Sequence, residues 1–284
     1  MDEITNVFAG LSQSVANAHP RNDSDYINPN DELLYCGVCH TPKQCRVPFR
    51  GNMYVQFCIC SCEAKRIEAE REALHQQQLN AEICHLKSLS GMTRQQLSEC
   101  NFEKYGVTAD NEKPLKICRK YVDNFGIMLE KNQGLLFWGD VGTGKTFSAE
   151  CIANALLDSG VPVVMTSFAK LLGRDKGFGV DEDFIAELNR AKLLIIDDLG
   201  AERNTDFALE KVYNIIDSRY SAGLPMILTT NLDLNEIQQC KDIRYQRVYE
   251  RILEVCYPVK FEGKSHRKRE AKDRFAEMRE LFEA

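Results

Sequence analysis

The stretch GDVGTGKT, from Gly139 through Asp140, Val141, Gly142, Thr143, Gly144 and Lys145 to Thr146, fits the pattern G-x-x-x-x-G-K-[ST]. Its glycines leave room for backbone N–H groups to curl round phosphate oxygens, and Lys145 adds a point charge for the terminal phosphates. Thr146 offers a hydroxyl to a magnesium ion. With Phe147 closing the segment, these residues are expected to hold ATP with Mg2+. A carboxylate must complete the metal shell, and LLIIDDLG at 193–200 supplies two. Four apolar residues there end in Asp197 and Asp198, at the C-terminal edge of a strand, where ligands bind in open α/β sheets. Asp197 is expected in the magnesium shell and Asp198 beside the attacking water. A further strand ends in Thr230 and Asn231, which are expected beside the γ-phosphate.

A second constellation is built from sulfur. Six of the 12 cysteines crowd into C-x2-C at Cys36 and Cys39, then Cys45, then C-x-C-x-C at Cys58, Cys60 and Cys62. Two close pairs about twenty residues apart suit tetrahedral zinc bound by four thiolates. Cys36 and Cys39 form the first pair; the second is Cys60 with Cys62, or Cys58 with Cys60. Cys36-Gly-Val-Cys39-His40 also matches the haem-attachment spacing, although that chemistry needs an oxidising compartment. The same cysteines would also suit an iron–sulfur cluster, or remain as metal-free thiols. Residues 36–62 hold too few large apolar side chains to fold without a cross-link. Lys43, Arg46, Arg50, Lys65 and Arg66 interleave with Phe49, Tyr54 and Phe57 here, a surface suited to stacking single-stranded bases or to docking a protein.

Elements must position these groups. From about residue 100, strands alternate with helices, the mark of a parallel sheet with crossover helices. Strands are expected at 134–138, 162–166, 193–197 and 226–230. Helices are expected at 114–129, 145–158, 167–172, 182–190 and 207–222, followed by a helical, basic stretch from Asp233. Upstream, residues 1–34 lack a sustained period and read as an acidic flexible tail, 35–62 as a zinc-binding module, 63–99 as a connecting helix, and 100–284 as an α/β ATPase domain. Ile67, Leu74, Leu79, Ile83 and Leu86 are expected on one face of the connecting helix. The six cysteines outside the cluster (Cys84, Cys100, Cys118, Cys151, Cys240 and Cys256) read as buried small hydrophobes.

Composition bounds the rest. With 44% hydrophobic and 27% charged residues and a net charge of −6, the chain has the balance of a globular protein. It holds no apolar run of about 18 residues, which excludes a transmembrane helix. The acidic N-terminus does not read as a secretory signal, so the expectation is a cytoplasmic protein without membrane partners. The negative charge concentrates in residues 1–34, whereas 241–284 are net basic. A nucleic-acid partner for the folded part is therefore compatible with the overall sign.

GLLFWGDVGTGKT, LLIIDDLGAE, the strand ending TTN and the basic C-terminal helices together resemble the AAA+ ATPases of the DnaC and DnaI helicase-loader type, with the IstB transposition ATPases as close relatives. The likeness covers about residues 100–284. It implies a loader that places a replicative hexameric DNA helicase on single-stranded DNA and slowly hydrolyses Mg-ATP. It also implies that Arg251 is an arginine finger reaching a neighbouring subunit, with Arg247 assisting, and that Arg267 is the sensor-2 arginine. Phage-type loaders carry C-x-C before a charged helix, which favours Cys60 and Cys62 as the second zinc pair. DNA contact is expected from Phe168, Lys170, Arg174, Lys176 and the basic C-terminal helices. Asp198 departs from the broader AAA+ pattern, which has Glu there; Glu202 is a candidate substitute base, less well placed. A transposition accessory ATPase and a nucleotide-gated adaptor without turnover are the competing functions.

Overall fold

A computed structural model describes residues 22–90, 99–108, 110–173, 182–200 and 206–283. The chain divides into two compact units, Met1–Gln78 and Leu79–Ala284.

In the first unit, β1 (Tyr26–Ile27) pairs antiparallel with β2 (Leu34–Tyr35), and β3 (Gln44–Phe49) with β4 (Asn52–Phe57). Residues 22–34, expected in a flexible tail, therefore carry ordered strands, while residues 1–21 of that expected tail lie outside the described residues. Asp25 accepts from the backbone N–H groups of Asn22 and Gly37 and from the Lys43 ammonium, which ties residues 22–35 to the cysteine module. Among the described residues of this unit the buried apolar ones are Leu33, Leu34, Cys36 and Cys60, a small core for two hairpins.

Helix α1 (Ser61–Leu89) is continuous for 29 residues, about 43 Å at the usual rise. Its apolar face is buried only towards the C-terminal end: Ile83 and Leu86 enter the core, whereas Leu74 is 55% exposed. The part of the expected connecting helix at 91–98 lies outside the described residues.

The second unit is a five-stranded parallel sheet in the order β6-β7-β8-β5-β9. Its strands are β5 (Gly134–Gly139), β6 (Val163–Ser167), β7 (Leu193–Leu199), β8 (Met226–Thr230) and β9 (Cys256–Phe261). Because side chains alternate across a strand, the apolar runs feed two cores. Leu136, Val164, Leu194, Ile196 and Leu228 face Val212 and Ile216 of α7 (Asp206–Ser221) and Val248 and Ile252 of α9 (Ile243–Val255). Leu135, Phe137, Val163, Ile195 and Ile227 pack with Ile152 and Leu156 of α4 (Lys145–Asp158) and with Cys118 and Tyr121 of α2 (Glu112–Asp123).

Three departures from expectation have local causes. The helix expected over 114–129 is two, α2 and α3 (Phe125–Glu130), because the N–H of Asn124 turns back onto the Lys120 and Val122 carbonyls. The stretch after Asp233 is not wholly helical: besides α8 (Leu234–Gln238), α9 and α10 (His266–Glu283), it contributes β9 at the sheet edge. There Cys256, Val259 and Phe261 are buried while Tyr257 and Lys260 are exposed. Cys84 is exposed and Cys240 half-buried, unlike Cys100, Cys118, Cys151 and Cys256, which are buried as expected. The short helices α5 (Phe168–Gly173) and α6 (Glu182–Leu188) complete the unit.

Candidate functional site

Strand β5 delivers the chain to the C-terminal edge of the sheet, and residues 140–144 join it to α4. Gly139 has φ 124°, and a Cβ there would lie 2.2 Å from the Phe261 carbonyl oxygen; Gly142 has φ 83°, with Ser265 Oγ 2.2 Å from the same hypothetical atom. The backbone carbonyl of Phe261 excludes a side chain at Gly139, and at Gly142 the positive φ strains one while Ser265 would have to shift. The loop is also tied to the start of α10, since the N–H of His266 donates to the Gly142 carbonyl at 2.9 Å. Thr143 Oγ1 donates to the Asp140 carbonyl at 2.8 Å. Ser148 Oγ donates to the Gly144 carbonyl and contacts the hydroxyl of Tyr105, whose ring packs against Phe147. Val141 is exposed. The first turn of α4 thus starts at a fixed loop, with its unpaired N–H groups directed to the sheet edge.

Lys145 is buried, and its ammonium donates to the carbonyls of Gly139 and Asp140, each at 2.7 Å. Burial lowers its pKa, against the charges of Asp198, Asp140 and Asp197. Those two neutral acceptors satisfy the cation, and a phosphate oxygen would be a stronger one.

Thr146 Oγ1 donates to Asp197 at 2.9 Å to Oδ1 and 3.2 Å to Oδ2. The two groups expected to share magnesium are therefore already in contact, and their hard oxygens suit that ion. Asp197 Oδ1 also accepts from Thr229 Oγ1 at 2.5 Å. Burial raises the Asp197 pKa, with the hydroxyls of Thr229 and Thr146 opposing it. Thr229 is not among the residues that the sequence singles out. Its signal is the alternation along β8, which turns Thr229 to the site.

Asp198 has φ 59° and sits at a register shift between β7 and β8. A bulge of this kind re-aims a side chain next to a site, and Asp tolerates the left-handed region better than Glu. Its carboxylate is exposed and its N–H donates to Thr229 Oγ1 at 3.0 Å. Thr230, expected beside the phosphate, instead donates to the Leu199 carbonyl and is fully buried; the same inward turn of β8 removes it from the site. Asn231 follows the strand and is exposed. Arg267, on the first turn of α10, is close enough for its charge to act on both Lys145 and Asp197.

Arg251 lies against its own α7. Its guanidinium pairs with Asp217 at 2.7 Å, donates to the Tyr213 hydroxyl at 3.0 Å and stacks over the Tyr213 ring. Arg247, one turn earlier, is exposed. Phe168, expected to touch DNA, is 1% exposed and belongs to the core, whereas Lys170 is exposed. Arg174, Lys176 and Glu202 lie outside the described residues.

In the first unit, the sulfurs of Cys36, Cys39, Cys60 and Cys62 all lie within 4.8 Å of one another. Cys36 and Cys62 are 3.5 Å apart, and Cys60 and Cys62 3.3 Å. Sulfurs about 2.3 Å from a tetrahedral centre sit about 3.8 Å apart, so the set fits a four-thiolate metal. Cys58 is directed elsewhere, to the Pro42 carbonyl. Hydrogen bonds with the Ser61 and Thr41 hydroxyls pull the Cys39 thiol down to about 4, whereas the neighbouring sulfurs of Cys60, Cys36 and Cys39 push the Cys62 thiol up to about 12.

Comparison with known proteins agrees with this geometry. Residues 72–274 match the family model for IstB-like ATP binding protein. The replicative helicase loader DnaI of Bacillus subtilis (strain 168) is 27% identical over 150 residues, covering 48% of this chain and 48% of that protein. The replicative helicase loader DnaC of Escherichia coli (strain K12) is 28% identical over 145 residues, covering 49% of this chain and 58% of that protein. The chain thus spans about half the length of these relatives. The crystal structure of the DnaC helicase loader superposes with a TM-score of 0.51 at 26% identity, covering 60% of this chain and 100% of that one. With residues 72–274 matching its model, an AAA+ sheet, a glycine-rich loop after β5 and Asp197 near the C-terminal end of β7, the chain belongs to the IstB-like ATP-binding family.

Proposed function

We propose that the chain is an ATP-dependent loader of a replicative hexameric DNA helicase onto single-stranded DNA. The observation that carries this reading is that its relatives over the ATP-binding stretch are named replicative helicase loaders. Residues 139–147 would cradle the nucleotide phosphates, with Thr146 and Asp197 holding Mg2+. The ion, when bound, neutralises phosphate charge. Lys145 then binds the terminal phosphates, Asp198 orients water, Asn231 hydrogen-bonds phosphate or water, and Arg267 closes over the γ-phosphate.

Turnover is slow and DNA-stimulated in this reading, since the Asp198 carboxylate is one methylene shorter than Glu. Self-association brings the arginines of α9 to a neighbouring subunit's nucleotide: Arg247 is exposed for this, and Arg251 is available on leaving Asp217. Cys36, Cys39, Cys60 and Cys62 hold zinc, a structural cross-link for a unit with little core. Lys170 and the basic half of α10 contact DNA.

The test is reconstitution with the hexameric helicase of the same cell on a forked DNA coated with single-strand-binding protein. ATP-dependent unwinding that requires this chain and is lost with Lys145→Ala is expected. Failure to bind the helicase would overturn the reading. The family description favours one other function, an accessory ATPase of transposition, and recovery of a transposase in place of a helicase would establish it. ATP binding without turnover, with or without DNA, would mark a nucleotide-gated adaptor.

A further inference from the structure

Among the described residues the β3–β4 hairpin pairs with no third strand, and residues 46–55 are all exposed. Val47, Phe49, Met53, Tyr54 and Val55 are between 38% and 61% exposed. Lone two-stranded hairpins are marginal in water, and a soluble protein seldom leaves five large side chains on one without a use. The register places Val47 opposite Tyr54 and Phe49 opposite Asn52, so both aromatic rings share one face. They meet edge to face with centroids 6.3 Å apart, and the Arg50 guanidinium lies 5.5 Å over the Phe49 ring.

The charge is one-sided. Residues 44–57 contain Arg46 and Arg50 and no carboxylate. Among the described residues neither arginine pairs with an acid: Arg46 donates to the Asp31 carbonyl, and Arg50 caps Phe49. Neighbouring cations are neutralised, Lys43 by Asp25 and Arg66 by Glu63 and Glu70. The tip is also an uncommon one. Arg50 has φ 49° and Gly51 φ 82°, a tight turn in which Asn or Gly would spare the backbone cost that arginine incurs. A strained arginine beside two exposed rings marks the tip as a place where the cation itself is needed.

We propose that the β3–β4 hairpin is a binding platform for single-stranded nucleic acid, with Phe49 and Tyr54 stacking on bases and Arg46 and Arg50 meeting phosphates. Flat rings with unneutralised guanidinium groups suit a strand that presents base faces and a uniform negative backbone. This contact is additional to any made by the ATPase unit, and it rests on the loader reading for the presence of single-stranded DNA.

The experiment measures binding of a labelled oligothymidine by the full chain, with and without a non-hydrolysable ATP analogue, across a salt series. Phe49→Leu with Tyr54→Leu keeps apolar cover on the hairpin and removes the rings; affinity should fall about tenfold or more. Arg46→Gln with Arg50→Gln should reduce the slope of log affinity against log salt by about 1.4. Unchanged metal content and thermal midpoint would show that each variant is folded. Wild-type affinity and slope in both variants would overturn the platform and leave the loader reading standing. Loss of helicase co-elution with DNA binding intact would overturn it in favour of a protein-docking hairpin. No binding by the wild-type chain in either nucleotide state would overturn both readings.

Discussion

Thr229 donates its hydroxyl to Asp197 at 2.5 Å while its oxygen accepts the N–H of Asp198 at 3.0 Å. One side chain on β8 therefore orients the carboxylate expected to hold magnesium and pins the backbone of the residue expected to position water. Outer partners of metal ligands typically matter by 10–100-fold in metal affinity. Thr229→Val should weaken magnesium-dependent ATP binding by roughly tenfold, and Thr229→Ser should restore it. Titration of a fluorescent nucleotide at several magnesium concentrations measures this; equal affinity for Thr229→Val and wild type would remove Thr229 from the site.

Asp198 lies in the left-handed region at φ 59°, a conformation that costs a non-glycine residue roughly 1 kcal/mol. Asp198→Gly relieves that strain and removes the carboxylate. The variant should be more stable by about 1 kcal/mol in denaturant unfolding while losing ATP turnover. A less stable variant would mean that the carboxylate contributes more to the fold than the backbone loses.

The thiol cluster separates Cys58 from its neighbours. Cys58→Ser should retain one zinc per chain, whereas Cys60→Ser and Cys62→Ser should lose it and release the first unit to proteolysis. Elemental analysis after chelator challenge reads the stoichiometry. Iron in place of zinc would identify the cluster as iron–sulfur.

The ion pair of Asp25 with Lys43 predicts a pH window. The Lys43 hydrogen bond holds the Asp25 carboxyl below its ordinary range, against burial, and the same bond raises Lys43. A depressed carboxyl stabilises above its unfolded pKa and loses that contribution as pH falls through the folded value. A raised amine stabilises below its unfolded pKa and loses the contribution as pH rises through the folded one. The pair is therefore at full strength from about pH 5 to 9. Asp25→Asn should lower the thermal midpoint of the first unit by roughly 5 °C within that window. The gap should narrow below about pH 4. A gap that is constant down to about pH 2 would show that the charge on Asp25 is immaterial.

Arg251 is held by Asp217 and Tyr213 in the isolated chain. Asp217→Asn should release it and raise DNA-stimulated ATP turnover about 1.4-fold to fivefold, the range for a partly exposed ion pair worth roughly 0.2–1 kcal/mol. Turnover should fall with Arg251→Ala in the same assay. Unaltered turnover in both variants would assign Arg251 a packing role on α7.

Elements whose signals are local are legible in the sequence. GDVGTGKT and the apolar run ending in Asp197 specify a phosphate loop and a buried strand without reference to the rest of the chain. Strand β8 is equally legible from its unbroken apolar residues, yet which of its threonines serves the site depends on the strand's facing. The sequence points to Thr230 and Thr229 is the one in contact, because a one-residue change in phase exchanges the faces of a strand. Strand β9 escapes a sequence reading because its alternation is interrupted by Pro258 and it lies among helix-forming, charged segments. Its place at the sheet edge, where one face of the backbone is unpaired, accommodates that proline. Phe168 sits in a basic context suggesting DNA contact, but an aromatic residue entering a short helix after a buried strand goes inward. Residues 22–34 give no periodic signal, since they are held by Asp25 and two two-residue strands rather than by an apolar face.

The hydrogen bond from the His266 N–H to the Gly142 carbonyl, together with the close approach of Ser265 to Gly142, joins the glycine-rich loop to the root of an 18-residue helix. A helix of that length acts as a pointer about 27 Å long. A displacement of the loop would therefore be carried to the root of this helix and enlarged along its length. If residues 139–147 hold nucleotide as proposed, binding there would bear on the direction of residues 266–283 as well as on the site itself.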